Sequence, residues 1–542
     1  MAEVEDVSIN NCDPSEDGAI LDSTDPYESL NVGRNSENRS HDNNTDNDDR
    51  INGDMGLLEI AVEASPDLIF ESDRRVSVSH DQVPFVRPRV YLERESFNSQ
   101  NEDLLSQTVN NSSFLEECIN PSTDEDDGSD SPAWKGQKKH FFVLSEAGKP
   151  IYTRHGNEEQ LVTLFGVMQA LVSVVEDGQD SMETLLAGDT KFVFLHKPPL
   201  ILVAVSKMKD SIQQLQLQLQ YIFNQISSVI TETQLERIFQ QRRNYDLRRL
   251  LAGSERLMDN LVNYMDNDYS VLLGAVKCLP MPSSDRDAVT QTIHQQCSKI
   301  KNLLFALLIG NNQLISLVRL NKKHLLHPSD VHLIINLVNS SETFKTAEGW
   351  TPICLPHYDS STFLYVHASY LSDDCQACLL FFTTDRDSFF PLSDAKKNIV
   401  DRLRRHNNIL ESIANALHRT NPILAQIGAP DVRHFLYKSR LFAQFMSVGV
   451  APPYHHEQGQ MYLMDLYRHL HGRMHSPSRP LKLVCHTVEK EILFGWVTPT
   501  YELYMTLEPM TTKAAITNSA SAVLKWIKRE EETYFINVSG TW

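Results

Sequence analysis

Residues 138–154 read KKHFFVLSEAGKPIYTR, and this stretch decides the fold of the region that follows it. Two short β-rich runs, 139–145 and 150–154, flank the tetrapeptide EAGK at 146–149. The glycine in this tetrapeptide permits the positive φ that a tight connection needs, so the pattern predicts a hairpin of two antiparallel strands.

A helix is predicted over 158–175, directly after this hairpin. Asn157 is a suitable N-cap, and one face carries apolar residues at helical spacing, beginning with Leu161, Leu164 and Phe165. The opposite face is apolar as well and comprises Val162, Val167, Ala170 and Val174. A helix that is apolar nearly all round is expected to be buried on two sides.

A similar succession of strands and helices recurs twice, which predicts a fold of three α+β domains. Each domain is expected to be a mostly antiparallel sheet flanked by helices. The expected bounds of the domains are 138–265, 268–419 and 430–536. Among the predicted elements are helices over 211–230, 235–251 and 393–418 and a strand over 271–278.

The acidic residues are concentrated at the N-terminus. The chain of 542 residues has a net charge of −21, and residues 1–134 hold 32 acidic and 8 basic residues, a net of −24. The other 408 residues hold 39 acidic and 42 basic residues. The acidic segment is rich in Asn and Ser and is expected to be disordered, because it cannot bury enough apolar area to offset its ordering entropy. Apolar islands at 55–62 and 83–92 are either partner motifs or inert.

The sequence predicts a cytoplasmic protein. No run approaches the ~18 consecutive apolar residues that a membrane span requires. The N-terminus is acidic, which is unlike a signal or transit peptide. Eight cysteines without framework spacing favour a reducing compartment.

Sequence motifs for several kinds of catalysis are missing. The chain has no Walker-type phosphate loop, no Gly-x-Ser-x-Gly and no His-Glu-x-x-His, which argues against a stand-alone NTPase, an α/β-hydrolase and a zincin. Cys375 and Cys378 form a lone Cys-x-x-Cys at the start of a strand and are expected to be buried structural thiols. His469, His471 and His475 have no acidic or thiol partner nearby in the sequence. Neither a metal site nor a cofactor is therefore predicted.

A basic cluster lies late in the chain. Arg468, Arg473, Arg479 and Lys482 form it, and near an anionic membrane each basic residue gains ~1 kcal/mol. Several such residues together suffice for recruitment to a membrane. A solvated face with no partner is the alternative interpretation.

Four stretches carry a resemblance to a known family. They are 138–152 in the hairpin, NYDLRRLLAGSE at 244–255, RHFLYK at 433–438 and SPSRPL at 476–481. The chain resembles the Mon subunit, or SAND, family of the Mon/Ccz vacuolar fusion complex over about 138–535. The resemblance implies three longin domains, which agrees with the order of strands and helices.

The resemblance implies one subunit of a heterodimeric guanine-nucleotide exchange factor, with a Ccz subunit as its obligate partner. The substrate would be the late-endosomal, vacuolar Rab GTPase, and its activation would drive Rab conversion, vacuole fusion and autophagosome maturation. Exchange needs no covalent catalysis, because the exchanger binds the nucleotide-free state more tightly than the loaded one. A non-catalytic longin adaptor or tether that recruits fusion machinery is the alternative.

In the family, the first longin domains of the two subunits pair, and their composite surface engages the Rab. We therefore expect the working surface on the first domain, on the hairpin and the helix that follows it. The candidate residues of this surface are Ser145, Glu146, Gly148, Lys149, Val162, Phe165, Val167 and Val174.

The resemblance also implies peripheral recruitment to endosomal and lysosomal membranes by an early-endosomal Rab and anionic phosphoinositides. The basic cluster is the candidate lipid contact. Participation of a third subunit is left open, and no nucleic-acid partner is expected. We expect the acidic segment 1–134 to fold back on the slightly basic body and inhibit it until phosphorylation or an upstream Rab releases it. A passive solubilising role is the alternative.

Overall fold

The computed structural model describes residues 132–537, except 159, 243–244, 321–322, 406–407 and 420–423. Residues 1–131 of the predicted acidic segment, which include both apolar islands, lie outside the described residues.

The structured part begins earlier than the first predicted strand. Trp134 is buried in the core of the first domain, and its indole Nε1 donates a hydrogen bond to the carbonyl oxygen of His155 at 2.9 Å. The acidic segment predicted to end at residue 134 therefore includes at least one core residue.

The first domain contains a five-stranded antiparallel sheet in the order β2-β1-β5-β4-β3. Its strands are β1 (Lys139–Ser145), β2 (Pro150–Thr153), β3 (Thr184–Ala187), β4 (Thr190–Lys197) and β5 (Leu200–Ser206). The helices are α1 (Pro132–Lys135), α2 (Val162–Asp177), α3 (Ile212–Val229), α4 (Glu232–Gln241), α5 (Arg248–Leu251) and α6 (Glu255–Asn267).

The second domain repeats this arrangement, with a five-stranded antiparallel sheet in the order β8-β7-β11-β10-β9. A linker carries α7 (Tyr269–Leu273) and β6 (Val276–Lys277) ahead of it. The strands are β7 (Leu303–Gly310), β8 (Gln313–Arg319), β9 (Gly349–Leu355), β10 (Ser360–Ser372) and β11 (Cys375–Thr383). The helices are α8 (Ser283–Cys297), α9 (Pro328–Ser340), α10 (Thr343–Thr346), α11 (Pro356–Asp359), α12 (Phe389–Arg405) and α13 (Ile409–Leu417).

The third domain has the same strand order with one strand added from the linker. Its sheet runs β14-β15-β16-β12-β13-β6, and β6 pairs with β13 in parallel. The strands are β12 (Val432–Ser439), β13 (Gln444–Ser447), β14 (Leu483–Thr487), β15 (Ile492–Val497) and β16 (Tyr501–Leu507). A 3-10 turn, Leu424–Gln426, precedes them, and the helices are α14 (Glu457–Met474) and α15 (Lys513–Tyr534). The prediction of three mostly antiparallel α+β domains is confirmed.

Several predicted elements differ from the observed helices and strands, and the differences occur where the backbone leaves the regular conformation. The strand predicted over 271–278 is α7 followed by β6, because Gly274 at φ 56° ends the helix in the left-handed region. The helix predicted over 393–418 is divided into α12 and α13, and Asn408 at φ 55° precedes the second of them. The helix predicted over 235–251 is likewise interrupted between α4 and α5.

Polar contacts join the first domain to the other two. The hydroxyl of Tyr221 on α3 lies 2.8 Å from His332 Nδ1 on α9, and Asn336 Nδ2 donates to the carbonyl oxygen of Leu257 on α6 at 2.8 Å. On the other side, Gln214 Nε2 on α3 donates to the carbonyl oxygen of Arg468 on α14 at 2.9 Å. The pair α3 and α6 therefore packs against both following domains.

Candidate partner-binding surface

Helix α2 covers one face of the first sheet. Its inward residues Leu164, Phe165, Met168 and Val172 are buried against apolar side chains of the sheet. Phe165 is fully buried and meets Phe142 of β1 edge-to-face, with ring centroids 5.6 Å apart. The prediction that Phe165 contacts a partner is therefore wrong, because its ring is part of the domain core.

The opposite face of α2 is apolar and open. Val162 is 51% exposed, Ala170 is exposed, and Val167 and Val174 are half-buried. A Cβ added at Gly166 would meet no atom within 4 Å among the described residues. Three of the predicted contact residues, the valines, therefore lie on a face that the described part of the chain leaves partly accessible.

Helix α2 begins later than predicted. Asn157 does not cap it: its carbonyl oxygen accepts hydrogen bonds from the amides of Gln160 and Leu161 in a preceding turn. The carboxylate of Glu158 accepts the amide proton of Thr153 at 3.2 Å, which ties this turn to the hairpin. The first helical residue is Val162, at the start of the exposed face.

The β1–β2 hairpin adjoins the exposed face of α2. Gly148 has φ 73°, and a Cβ at this position would lie 3.3 Å from Cγ of Gln169 on α2. Ser145 is buried, and its Oγ accepts the amide proton of Lys149 at 3.2 Å. Ser145 therefore shapes the turn and is not a surface residue as predicted, whereas Glu146 and Lys149 are exposed.

A histidine that the sequence analysis missed joins the hairpin to the end of α2. His196 at the end of β4 lies between two carboxylates, with Nδ1 2.9 Å from Glu176 Oε1 and Nε2 3.4 Å from Glu146 Oε1. Gln169 Nε2 also lies 3.5 Å from the carbonyl oxygen of Glu146. No local sequence pattern links these positions, because sheet pairing alone brings them together. The hairpin and α2 thus form one continuous surface.

An open cleft of about 800 Å³ continues this surface on the far side of the hairpin. Its wall contains Glu146, the cis-linked Pro198 and Pro199, and Phe239 of α4. The combined surface therefore has an apolar ridge on α2 and an acidic rim at the hairpin.

The helix equivalent to α2 is covered in the other two domains. In each domain it connects the second and third strands of the sheet, as α2, α9 and α14 respectively. Leu333 of α9 belongs to the same apolar cluster as α3 and α6 of the first domain. Arg468 on the outer side of α14 is buried against Asp210 and Asp266 of the first domain. Of the three equivalent helices α2, α9 and α14, α2 is thus the one whose apolar face the described residues leave open.

The four residues of the basic cluster have different surroundings in the structure. Arg468 is only 4% exposed and pairs with Asp210 at 3.3 Å and with Asp266 at 3.2 Å, so the prediction that it contacts lipid is wrong. Arg473 and Arg479 line an open pocket of about 370 Å³ together with Lys209, and Lys482 is exposed nearby in the chain. These basic residues remain candidates for an anionic surface.

The described cysteines are buried free thiols, including Cys375 and Cys378 at the start of β11. Burial raises the pKa of the Cys375 thiol to about 11 and that of Cys378 to about 12. Both thiols are therefore protonated at neutral pH, which fits the predicted structural role.

Within the described ranges, every helix is too short or too polar to span a bilayer.

Three family models match the chain in succession. They are described as the first, second and third longin domains of FUZ, MON1 and HPS1, and they match residues 139–261, 301–401 and 431–531.

Relatives match most of the chain. Vacuolar fusion protein MON1 homolog A of Gallus gallus is 46% identical over 403 residues, covering 74% of this chain and 73% of that protein. Protein SAND of Takifugu rubripes is 43% identical over 443 residues, covering 81% and 84% respectively. Vacuolar fusion protein MON1 homolog B of Homo sapiens is 39% identical over 420 residues, covering 74% and 76%.

Proposed function

This chain belongs to the MON1 (SAND) family of vacuolar fusion proteins, and from that premise we propose that it is one subunit of a heterodimeric guanine-nucleotide exchange factor. As a three-longin protein of this family, it acts in vacuole and endosome fusion. The proposed partner is a Ccz subunit, and the proposed substrate is the late-endosomal Rab GTPase. Activation of this Rab would drive conversion of early to late endosomes and autophagosome maturation.

The open apolar face of α2 is the observation that supports this proposal. An apolar face that lies beside a polar, charged rim is the usual composition of a protein interface. The exposed Val162, at the start of α2, and the exposed Ala170, in its middle, lie on this face, and Glu146 and Lys149 of the hairpin lie at its rim. A second longin domain that covers α2 would leave the hairpin free to contact the GTPase.

Exchange on this surface requires differential binding and no covalent step. The heterodimer would bind the nucleotide-free Rab more tightly than the loaded Rab, which shifts the population toward the state that has lost its nucleotide. The residues of this chain would therefore act by contact and position, through the apolar ridge and the hairpin.

The direct test is release of a fluorescent guanine nucleotide from a panel of endosomal Rabs. This chain alone, the Ccz subunit alone and the two together are compared at equal concentrations. We expect release above the spontaneous rate only with both subunits and only on a late-endosomal Rab. If the heterodimer forms but leaves every Rab at its spontaneous rate, the adaptor or tether function replaces the exchange proposal.

The role of α2 is tested by Val162→Asp. An unpaired carboxylate in an apolar interface costs several kcal/mol, so we expect the affinity for the Ccz subunit to fall by at least about 100-fold. The matched control is Leu217→Asp on α3, which places the same charge at a residue 37% exposed on the other side of the sheet. Equal co-purification of both variants with the partner would contradict the interface on α2.

Recruitment to membranes is a separate part of the proposal. The exposed Arg479 and Lys482, with Arg473 in the adjoining pocket, provide positive charge for anionic phosphoinositides, and an early-endosomal Rab would supply the second contact. The protein is expected to associate with endosomal and lysosomal membranes only peripherally.

A further inference from the structure

Two histidines and a glutamate meet at the C-terminal end of α14. His471 lies in the last turn of the helix, and His475 follows one turn later at its C-cap. Glu502 projects from β16 beneath them. One nitrogen of each imidazole and one carboxylate oxygen lie within 4.8 Å of one another. Glu502 was not recognised from the sequence, because the fold alone brings β16 under α14.

The imidazole of His471 offers a buried nitrogen atom to a ligand. Within the described part of the chain, Nδ1 of His471 is buried and has no hydrogen-bond partner.

We propose that His471, His475 and Glu502 bind a zinc ion. Two imidazole nitrogens and one carboxylate oxygen are a known zinc ligand set, with a fourth, tetrahedral position left for water. Ligand bonds of about 2.0–2.1 Å place the donors of a tetrahedral site about 3.3 Å apart. Nε2 of His475 already lies 3.4 Å from Oε2 of Glu502, and His475 is exposed, so its ring is able to move. Nitrogen ligands disfavour magnesium and calcium.

The two oxygens of Glu502 have different neighbours, so the ion and the two cations Lys438 and Arg440 would contact different oxygens. Oε1 lies 3.2 Å from Nζ of Lys438 and 3.6 Å from Nε of Arg440. Oε2 accepts a hydrogen bond from the hydroxyl of Tyr504 at 2.7 Å, and the same hydroxyl lies 2.9 Å from Nε2 of His475, so a bound ion would replace the contact between this hydroxyl and His475. The ion would bind on the Oε2 side. Lys438 and Arg440 would weaken its binding by repulsion, so a variant without Lys438 should bind zinc more tightly.

A bound ion would fasten the end of α14 to the centre of the third sheet. The segment just beyond this helix end contains Ser476 and Arg479, which line the basic pocket. Zinc would therefore hold in place one wall of that pocket, independently of the proposed exchange activity.

The test uses the full chain after treatment with a chelator. Zinc chloride and magnesium chloride are titrated calorimetrically, and cobalt chloride is added to record the visible absorption of a tetrahedral site. We expect one zinc ion per chain, no response to magnesium and a tetrahedral cobalt spectrum. His475→Ala should weaken zinc binding by at least about 10-fold. Because His475 is exposed, this variant is expected to fold normally.

His456→Ala is the matched control, since His456 is exposed at the opposite end of the same helix and its ring contacts that of His455. It should bind zinc as the wild type does, and Lys438→Met should bind it more tightly. The proposal is overturned if His475→Ala and His456→Ala lose affinity equally, which indicates surface binding only. It is also overturned if the chain does not bind zinc or if Lys438→Met weakens binding.

Discussion

Replacement of Arg468 by methionine tests how the first and third domains are held together. The guanidinium of Arg468 is buried and pairs with Asp210 and Asp266, and Lys139 of β1 pairs with the same two carboxylates at 3.0 and 2.8 Å. Asp465, one turn before Arg468 on α14, lies 3.3 Å from it. Methionine keeps much of the aliphatic volume and removes the charge, so the change isolates the ion pairs.

The expected loss of stability follows from what remains at Asp210. Its carboxylate is almost completely buried, and without Arg468 it retains the ion pair with Lys139 and the favourable charge of Lys191. Removal of one partner from a buried ion pair costs about 3–5 kcal/mol when the other charge is left unpaired. Because Lys139 still compensates Asp210, we expect the lower end of that range, about 3 kcal/mol.

The effect should also depend on pH. Burial alone would raise the pKa of Asp210, but the charges of Lys139 and Arg468 hold it below 3.8. A carboxyl group whose folded pKa is lowered stabilises the protein above its unfolded pKa and loses that contribution as the pH falls through the folded value. The difference between wild type and Arg468→Met should therefore be largest near neutral pH and should shrink below about pH 4.

Urea unfolding followed by fluorescence measures the loss at pH 7 and in acid. The exposed Arg479→Met is the control and should change the free energy of unfolding by less than about 0.5 kcal/mol. The double variant Asp210→Asn, Arg468→Met should recover part of the loss, because the buried side chain that lost Arg468 is then uncharged. A loss below about 1 kcal/mol for Arg468→Met, or a double variant as unstable as the single, would refute this account of the domain contact.

Three further predictions concern other parts of the chain. Burial raises the pKa of Asp330 to about 7, so ionisation of its carboxyl group lowers the stability of the folded protein as the pH rises from about 4 to 7. Asp330→Asn should remove this loss, which is measured by comparing urea midpoints at pH 5 and 8. Neutralisation of Arg473, Arg479 and Lys482 should weaken binding to phosphoinositide liposomes, and unchanged binding would exclude this cluster. Deletion of 2–131 should leave folding intact and raise membrane-dependent exchange, and unchanged exchange would make that segment a passive solubiliser.

The fold was predictable from the sequence because each sheet has a strongly apolar centre. The runs at β5 and β7 are buried along their whole length, and such runs identify central strands without knowledge of the partner strand. The edge strand β3 was missed: Thr184–Ala187 is partly exposed and has no alternation that marks a strand. Edge strands depend on pairing with a neighbour, which local sequence does not reveal.

The candidate surface was predictable in part for a related reason. The apolar character of both faces of α2 is visible in the sequence, so Val162, Val167 and Val174 were among the candidates, and they lie on the face that is exposed or half-buried. Helical periodicity does not say which face meets the sheet, and Phe165 from the buried face was therefore included with them. The contact of His196 with two distant carboxylates depends on sheet pairing and has no local signal.

The arrangement of the three domains explains why the apolar face of α2 is open to the proposed partner. Helices α3 and α6 lie on the opposite face of the first sheet from α2, and they are the elements that pack on α9 and α14. One face of the first sheet thus carries the helices that contact the second and third domains, and the other face carries α2. A partner that covers Val162 would not compete with any of the described domain contacts. We therefore expect Val162→Asp to weaken partner binding by at least about 100-fold while the free energy of unfolding of the isolated chain stays within about 0.5 kcal/mol of wild type.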